Sequence, residues 1–222
     1  MRKYITFFFI LFGLSAHAQV SISYSAGYSD YKMTDAKQAL ENMFRSIKPN
    51  LPENLEITEN FPGYITHNLD LTYQIKSHEV GAKFSYYTTG GIIAYSDYSG
   101  KYKNSAIFNG YKFGLIYRIH FWVPNDRFSV FFEISPALVS TDIKYKLEYP
   151  FSNQNVHKQI SDKDSESAVS IQPLLGCRFA ITKNILIFGR GGYDYLFTSK
   201  SNPAIANWSG IRGEAGITWK FN

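Results

Sequence analysis

The chain has 222 residues at 25.4 kDa, with 17% aromatic and 18% charged residues, a mean hydropathy of -0.21 and a formal net charge of +5. That length suits one domain. So much Tyr and Phe argues against disorder, and beyond the first residues no apolar run reaches the ~18–20 residues of a membrane-spanning helix. Glycine, heptad and cysteine counts exclude collagen, coiled-coil and zinc-ribbon architectures, and the charge is too mild and dispersed to argue for nucleic acid.

Arg2 and Lys3 precede an apolar stretch from Ile5 to Leu14, and Ala16-His17-Ala18 stands before Gln19. A basic start, a short apolar core and a small-x-small site predict a cleaved secretory leader over 1–18, with the domain over 19–222. No Cys follows the cleavage site, so a lipid-modified N-terminus is not expected. Cleavage removes Arg2 and Lys3 and takes the net charge from +5 to +3.

Period-2 alternation then recurs along the chain, the signature of strands. The first predicted strand sets Val20, Ile22, Tyr24, Ala26 and Tyr28 against Ser21, Ser23, Ser25 and Gly27. A long connection over 29–63 follows. Within it, 34–48 predicts a helix, with Thr34 as N-cap, Asp35 in the first turn, and Lys48 closing it before Pro49. Its apolar stripe is Ala36, Leu40, Met43, Phe44 and Ile47, a face that must cover something: the barrel mouth and other loops, or a partner or lipid surface. Strand two sets Ile65, Leu69, Leu71, Tyr73 and Ile75 against Asn68, Asp70, Thr72 and Gln74, and turns tightly at Ser77-His78. Strand three opposes Val80, Ala82, Phe84 and Tyr86 to Gly81, Lys83 and Ser85.

The second long connection, 90–105, carries Tyr95, Asp97, Tyr98 and Tyr102. Rigid aromatics among Ser, Gly and Asp suit contact with a glycan or a protein, and equally a β-hairpin extending above the membrane. Strand four sets Ile107, Tyr111, Phe113, Leu115, Tyr117 and Ile119 against Gly110, Lys112, Gly114 and Arg118, and turns at Pro124-Asn125-Asp126. Strand five opposes Phe128, Val130, Phe132, Ile134 and Leu138 to Ser129, Glu133 and Ser135. The third long connection, 141–167, contains Asp162-Lys163-Asp164-Ser165-Glu166, whose oxygens lack the turn glycine of a calcium loop, so a solvated loop is expected. Strand six sets Val169, Ile171, Leu175, Cys177 and Phe179 against Ser170, Gln172, Gly176 and Arg178, and turns at Lys183-Asn184. The lone Cys177 excludes an internal disulfide and, with no His or acid near it in sequence, is expected as a small apolar residue. Strand seven opposes Ile185, Ile187, Tyr193, Tyr195 and Phe197 to Arg190, Gly192 and Asp194. After a connection over 198–207, the last strand sets Ile211, Ala215, Ile217, Trp219 and Phe221 against Arg212, Glu214, Gly216, Thr218 and Lys220.

Every charge placed in these strands falls on one parity. A soluble sandwich also alternates but turns its charges to water. Export, aromatics at strand ends and a charged face studded with Gly and Ser favour the inverse, with the apolar face toward lipid. Long connections after odd strands and short ones after even strands match the loops and periplasmic turns of outer-membrane barrels. The expectation is an all-β, eight-stranded antiparallel up-and-down transmembrane barrel with one short helix in its first loop, in the outer membrane of a Gram-negative bacterium. Over 20–222 the chain resembles the small eight-stranded outer-membrane β-barrel proteins. The resemblance rests on the leader, the alternating repeat, the loop asymmetry and the last strand, Gly213 to Phe221. That strand looks like the segment which the barrel-assembly machinery reads, although Asn222 follows the aromatic.

Eight strands enclose a bore that side chains about fill. Asp70, Lys83, Lys112, Glu133, Arg190 and Glu214 are expected near its middle, pairing Asp70 with Lys83, Lys112 with Glu133, and Arg190 with Glu214. Arg118 and Arg178 are expected lower, and Asp194 and Arg212 nearer the outside. Such a network predicts a structural plug; the alternative is a gated, narrow channel. A lipid A-modifying enzyme is the other alternative. Of His67, His78, His120 and His157, only His67 is well placed for it, and the His-x-Ser pair of lipid-deacylating barrels reads His67-Asn68-Leu69 here. Ser96 or Ser99 could supply a nucleophile from another strand. Thr89-Gly90-Gly91 and Gly191-Gly192 are not phosphate loops, since no helix follows them. No catalytic residue, metal or cofactor is expected. The expected partners are outer-membrane lipid and lipopolysaccharide, the assembly machinery during insertion, and a protein at the outer loops.

Overall fold

A computed structural model describes residues 19–50, 55–97, 100–125, 127–151, 154–158, 164–197 and 206–221. The predicted leader, Tyr98, Ser99 and Asp162-Lys163 lie outside these residues. The elements are β1 (Gln19–Ser29), α1 (Thr34–Ile47), β2 (Glu56–Asn60), β3 (Tyr64–Ile75), β4 (His78–Asp97), β5 (Gly100–Asn125), β6 (Phe128–Phe151), β7 (Gln154–Lys158), β8 (Asp164–Ala180), β9 (Ile185–Phe197) and β10 (Gly210–Phe221).

Eight strands close an antiparallel ring in the order β1-β3-β4-β5-β6-β8-β9-β10. The seam joins β1 to β10 from Val20 opposite Phe221 to Ser29 opposite Arg212. Closure leaves no sheet edge around the ring. The two remaining strands are satellites: β2 pairs with the upper part of β4, and β7 with the upper part of β6.

Around the ring the predicted parity holds. Leu71, Phe113, Leu115, Leu138, Leu175, Ile211 and Ile217 are exposed on the outer face, whereas Ser23, Asp70, Lys83, Glu133, Arg190 and Glu214 are buried inside. Cys177 is exposed on the outer face of β8. Inner glycines make room for large neighbours: a Cβ at Gly110 would run into the Tyr87 ring, and one at Gly176 would lie 2.5 Å from Phe131 Cζ.

The tight connections carry their own turn chemistry. Asn125 Oδ1 accepts from the backbone N–H of Arg127 (2.9 Å) and of Phe128 (2.8 Å). Thr182 Oγ1 accepts from those of Asn184 and Ile185.

At the other end the second long connection takes its hairpin alternative. Residues 90–97 and 100–105 continue the ladder between β4 and β5, with Asp97 opposite Gly100, and β6 runs on to Phe151. Above the ring the inner parity changes from charged to apolar. Tyr87, Ile93, Tyr95, Tyr102 and Phe108 join Tyr31, Met33, Leu55, Phe61, Val139, Ile143 and Trp208 in one buried cluster. This is an ordinary soluble-type core roofing the bore, built from segments that in sequence look like loops.

Helix α1 lies on that core, with Ala36 and Leu40 buried and Phe44 and Ile47 packed against it. Met43 is 40% exposed, although its sulfur accepts from Asn104 Nδ2 at 3.5 Å. The stripe therefore covers the mouth. The N-cap position is held by Met33 and not by Thr34, with φ 42° and no side-chain cap. Met33 is fully buried, and its N–H donates to Asn207 O at 3.0 Å, so the core sets where the helix begins.

Candidate functional site: the filled bore and its roof

Three layers of side chains cross the bore. The floor is built on Glu79, at the start of β4, which accepts from Arg118 Nη1 (2.6 Å), Arg178 Nη2 (3.0 Å) and His120 Nε2 (3.1 Å). A carboxylate only accepts, so Nε2 carries a proton toward Glu79, while Nδ1 lies 3.2 Å from Ser129 Oγ. Phe131 lies under both arginines, with Arg118 Cζ 4.7 Å and Arg178 Cζ 5.7 Å from its ring centre.

The middle layer centres on Glu133 of β6. Its Oε1 accepts from Lys83 Nζ (2.6 Å) and Ser135 Oγ (3.0 Å); its Oε2 accepts from Arg118 Nη2 (2.6 Å) and Arg190 Nη1 (3.0 Å). Arg190 also reaches Asp70 (2.7 Å) and Glu214 (2.7 Å), and Arg118 touches Asp70 at 3.4 Å. Four cations, Lys83, Arg118, Arg178 and Arg190, thus face four carboxylates, Asp70, Glu79, Glu133 and Glu214. Burying any of these charges alone would be prohibitive, and it is the mutual pairing that makes the layer possible.

Above them Asp194 holds Lys112 Nζ at 2.9 Å and Arg212 Nη2 at 2.7 Å, and Lys112 also donates to Gln172 Oε1 at 3.3 Å. The Arg212 guanidinium lies 4.8 Å from the Tyr87 ring centre and 6.0 Å from that of Tyr31. These rings begin the roof. Trp208 packs edge-on against Tyr31 (4.9 Å) and Tyr87 (4.5 Å), and its Nε1 donates to Thr141 Oγ1 at 2.8 Å. Tyr31 sits above the strand ends, where burial pushes its phenol up to about 12, so the ring stays protonated and neutral through the ordinary pH range.

Of the three ion pairs expected from sequence, the structure forms Arg190–Glu214 and replaces the other two. Asp70 is opposite Lys83 in the β3–β4 register, yet Lys83 reaches along the interior to Glu133, because in so narrow a bore other strands are as near as the adjacent one. Lys112 is opposite Val139, while the residue opposite Glu133 is Arg118, so Lys112 lies one layer higher and meets Asp194. Glu79 and His120 belong to the floor although neither was counted in the expected network; His120 was expected only at this end of the barrel. Glu79 shares the inner parity of Gly81 and Lys83 and is missed when the strand is begun at Val80.

The second-loop candidates separate. Tyr95 and Tyr102 are buried in the roof, opposite one another in the β4–β5 ladder. The side chain of Asp97, like Tyr98, is outside the described residues. His67 is on the outer face, its Nδ1 2.8 Å from Tyr24 Oη, and His78 Nδ1 is 2.9 Å from Tyr117 Oη. Serine, imidazole and carboxylate do meet in Ser129–His120–Glu79, but Glu79 is committed to two arginines, which makes the chain part of the floor. Among the described residues no group of three or more His, Cys, Asp or Glu side chains is placed to hold a metal ion.

No protein-family model matches the sequence, and no curated protein matches it. Among solved structures, neisserial surface protein A aligns with 92% of this chain and 99% of its own, at 12% identity and a TM-score of 0.52. The attachment invasion locus protein of Yersinia pestis, solved with the heparin analogue sucrose octasulfate, covers 92% and 97% at 11% identity and a TM-score of 0.41. The N-terminal β-barrel domain of Pseudomonas aeruginosa OprF covers 92% and 100% at 13% identity and 0.40. The first of these shows a shared fold, that of a small outer-membrane β-barrel; scores as low as the other two carry no argument.

Proposed function

We propose that the chain is exported behind a leader cleaved after Ala18, resides in the outer membrane of a Gram-negative bacterium, and acts there without catalysis. In this reading it is a sealed barrel whose roofed outer end binds a partner or the cell surface, or contributes to envelope integrity. The observation that carries it is the bore itself, crossed by a neutral floor-and-middle network and closed above by the aromatic core. The exposed apolar belt supports lipid contact, since a hydrocarbon phase accepts Leu, Phe and Ile and rejects the charges held inside.

The roof changes where a partner would dock. With Ala36, Leu40, Tyr95 and Tyr102 committed to the core, contact falls to the polar side of α1 and to the tips of the tall hairpins. Co-purification from native membranes would supply the partner.

Three measurements separate this reading from its alternatives. Reconstituted in planar bilayers, the folded protein gives no discrete current steps; reproducible unitary steps would establish the gated channel instead. Lipid A from expressing cells keeps its mass, and a fluorophosphonate probe leaves Ser129 unlabelled. A new lipid A species or labelling of Ser129 would show that Ser129–His120–Glu79 is an active nucleophile and base.

A further inference from the structure

At the short-turn end, below the floor, the bore opens into a cavity of about 290 Å³ lined by polar and apolar side chains alike. Four cations line it: Lys76 from the β3–β4 turn, Arg127 from the β5–β6 turn, Arg178 from β8 and Lys220 from β10. Among the described residues lining it there is no carboxylate. The nearest acid of the floor, Glu79, is already shared by Arg118, Arg178 and His120.

Two of the cations have donors to spare. Arg178 is 3% exposed, and while its Nη2 holds Glu79, its buried Nε has no hydrogen-bond partner. Lys220 Nζ meets the Gln74 amide oxygen at 3.2 Å, a neutral acceptor that leaves the ammonium charge unbalanced. Leaving a buried donor without an acceptor is costly, so an open N–H on a residue that lines this cavity suits an acceptor that enters.

We infer that this vestibule binds an oxyanion of the phosphate class, as inorganic phosphate or as a phosphoester. Three positive charges outside the ion-pair network, Lys76, Arg127 and Lys220, together with the spare Nε–H of Arg178, line one cavity from separate turns and strands and suit an ion with several acceptor oxygens spread in three dimensions. A phosphate provides them together with more than one negative charge. A carboxylate provides two oxygens in one plane and a single charge, and a halide provides no directional acceptors. The cavity holds a phosphate with room for a small attached group. The site lies beneath the plug, and its occupancy does not depend on whether the bore is sealed.

The test uses the folded protein in a non-ionic detergent at low ionic strength, where screening of exposed charges is weakest. Inorganic phosphate is titrated calorimetrically against the wild type, Lys220→Met, the double variant Lys76→Gln/Arg127→Gln, and Lys146→Gln, an exposed cation at the opposite end. These substitutions leave the buried ion pairs untouched, and retained heat-modifiable gel mobility confirms folding of each. Wild type is expected to bind phosphate saturably. Lys220→Met and the double variant each weaken binding roughly tenfold or more, as loss of a charge-assisted hydrogen bond implies, and Lys146→Gln leaves it unchanged. Glycerol 3-phosphate and a short-chain phosphatidylglycerol then compete in separate arms. Competition by the first identifies a soluble source, and competition by the lipid alone identifies a headgroup; either supports the site. Absence of saturable binding, equal competition by acetate, or an equal loss in Lys146→Gln overturns it.

Discussion

Glu133→Gln lowers the unfolding free energy of the refolded protein by about 3–5 kcal/mol, the loss found when one partner of a buried ion pair is removed. The carboxylate has no solvent exposure, and its two oxygens serve Lys83, Arg118, Arg190 and Ser135. Glutamine keeps the volume but loses the charge, and it turns an N–H₂ toward one of the cations. Three carboxylates then face the four cations of the two lower layers, and the surplus charge cannot reach water. Equilibrium urea unfolding in lipid vesicles, with exposed Glu59→Gln as a reference expected within about 0.5 kcal/mol of wild type, measures the difference. A double-mutant cycle with Lys83→Met sharpens the result, since the pair should lose less than the sum of the single changes. A Glu133→Gln protein losing under about 1 kcal/mol would show that the network is not what stabilises the barrel.

Trp208→Ala should cost a similar amount, about 3–5 kcal/mol for truncating a buried large aromatic, but in a different place. The indole is 1% exposed, contacts Tyr31 and Tyr87, and makes its hydrogen bond to Thr141. It ties the segment before β10 to the segment after β1, where Met33 N–H donates to Asn207 O and Lys32 N–H to Ser209 O. The loss should therefore fall on α1, β2 and the upper part of β4, while the ring below keeps its hydrogen bonds. Amide exchange resolved by segment tests this, because stability differs among cooperative units of one chain. Faster exchange confined to the roof is the expected pattern. Equal loosening of β3 and β9, or no change in α1, would contradict a roof that folds on Trp208.

The ring was legible from alternation alone, because a strand between lipid and a polar lumen must separate its side chains by parity, as Ser23, Asp70, Lys83 and Glu214 do. The roof was not legible in the same way. Between Gly91 and Tyr95 the apolar residues occupy both parities, Ile92 and Ala94 on one and Ile93 and Tyr95 on the other, so the period-2 signal fades while the strand continues. Pairing across the bore was the least legible. Sequence orders residues along strands, but which charge meets which depends on shear, side-chain length and the distance across the lumen. Arg190 could be matched with its neighbour Glu214, while its contacts with Asp70 and Glu133 needed the closed ring. The helix stripe was plain, and its fate as a cover followed only once the apolar mouth beneath it was visible.

Inter-strand hydrogen bonds fix the circumference of the ring, but a hoop of fixed circumference can still be squashed into an ellipse. The ion pairs act in the other direction. Asp70 on β3 holds Arg190 on β9, Glu79 on β4 holds Arg178 on β8, and Lys112 on β5 holds Asp194 on β9, each joining strands three places apart around the ring. They are spokes. Flattening the cross-section under lateral bilayer pressure would stretch some of them and compress others, at the cost of charges that have no solvent to turn to. Roundness in this barrel is thus a property of its interior, and the wall alone does not determine it.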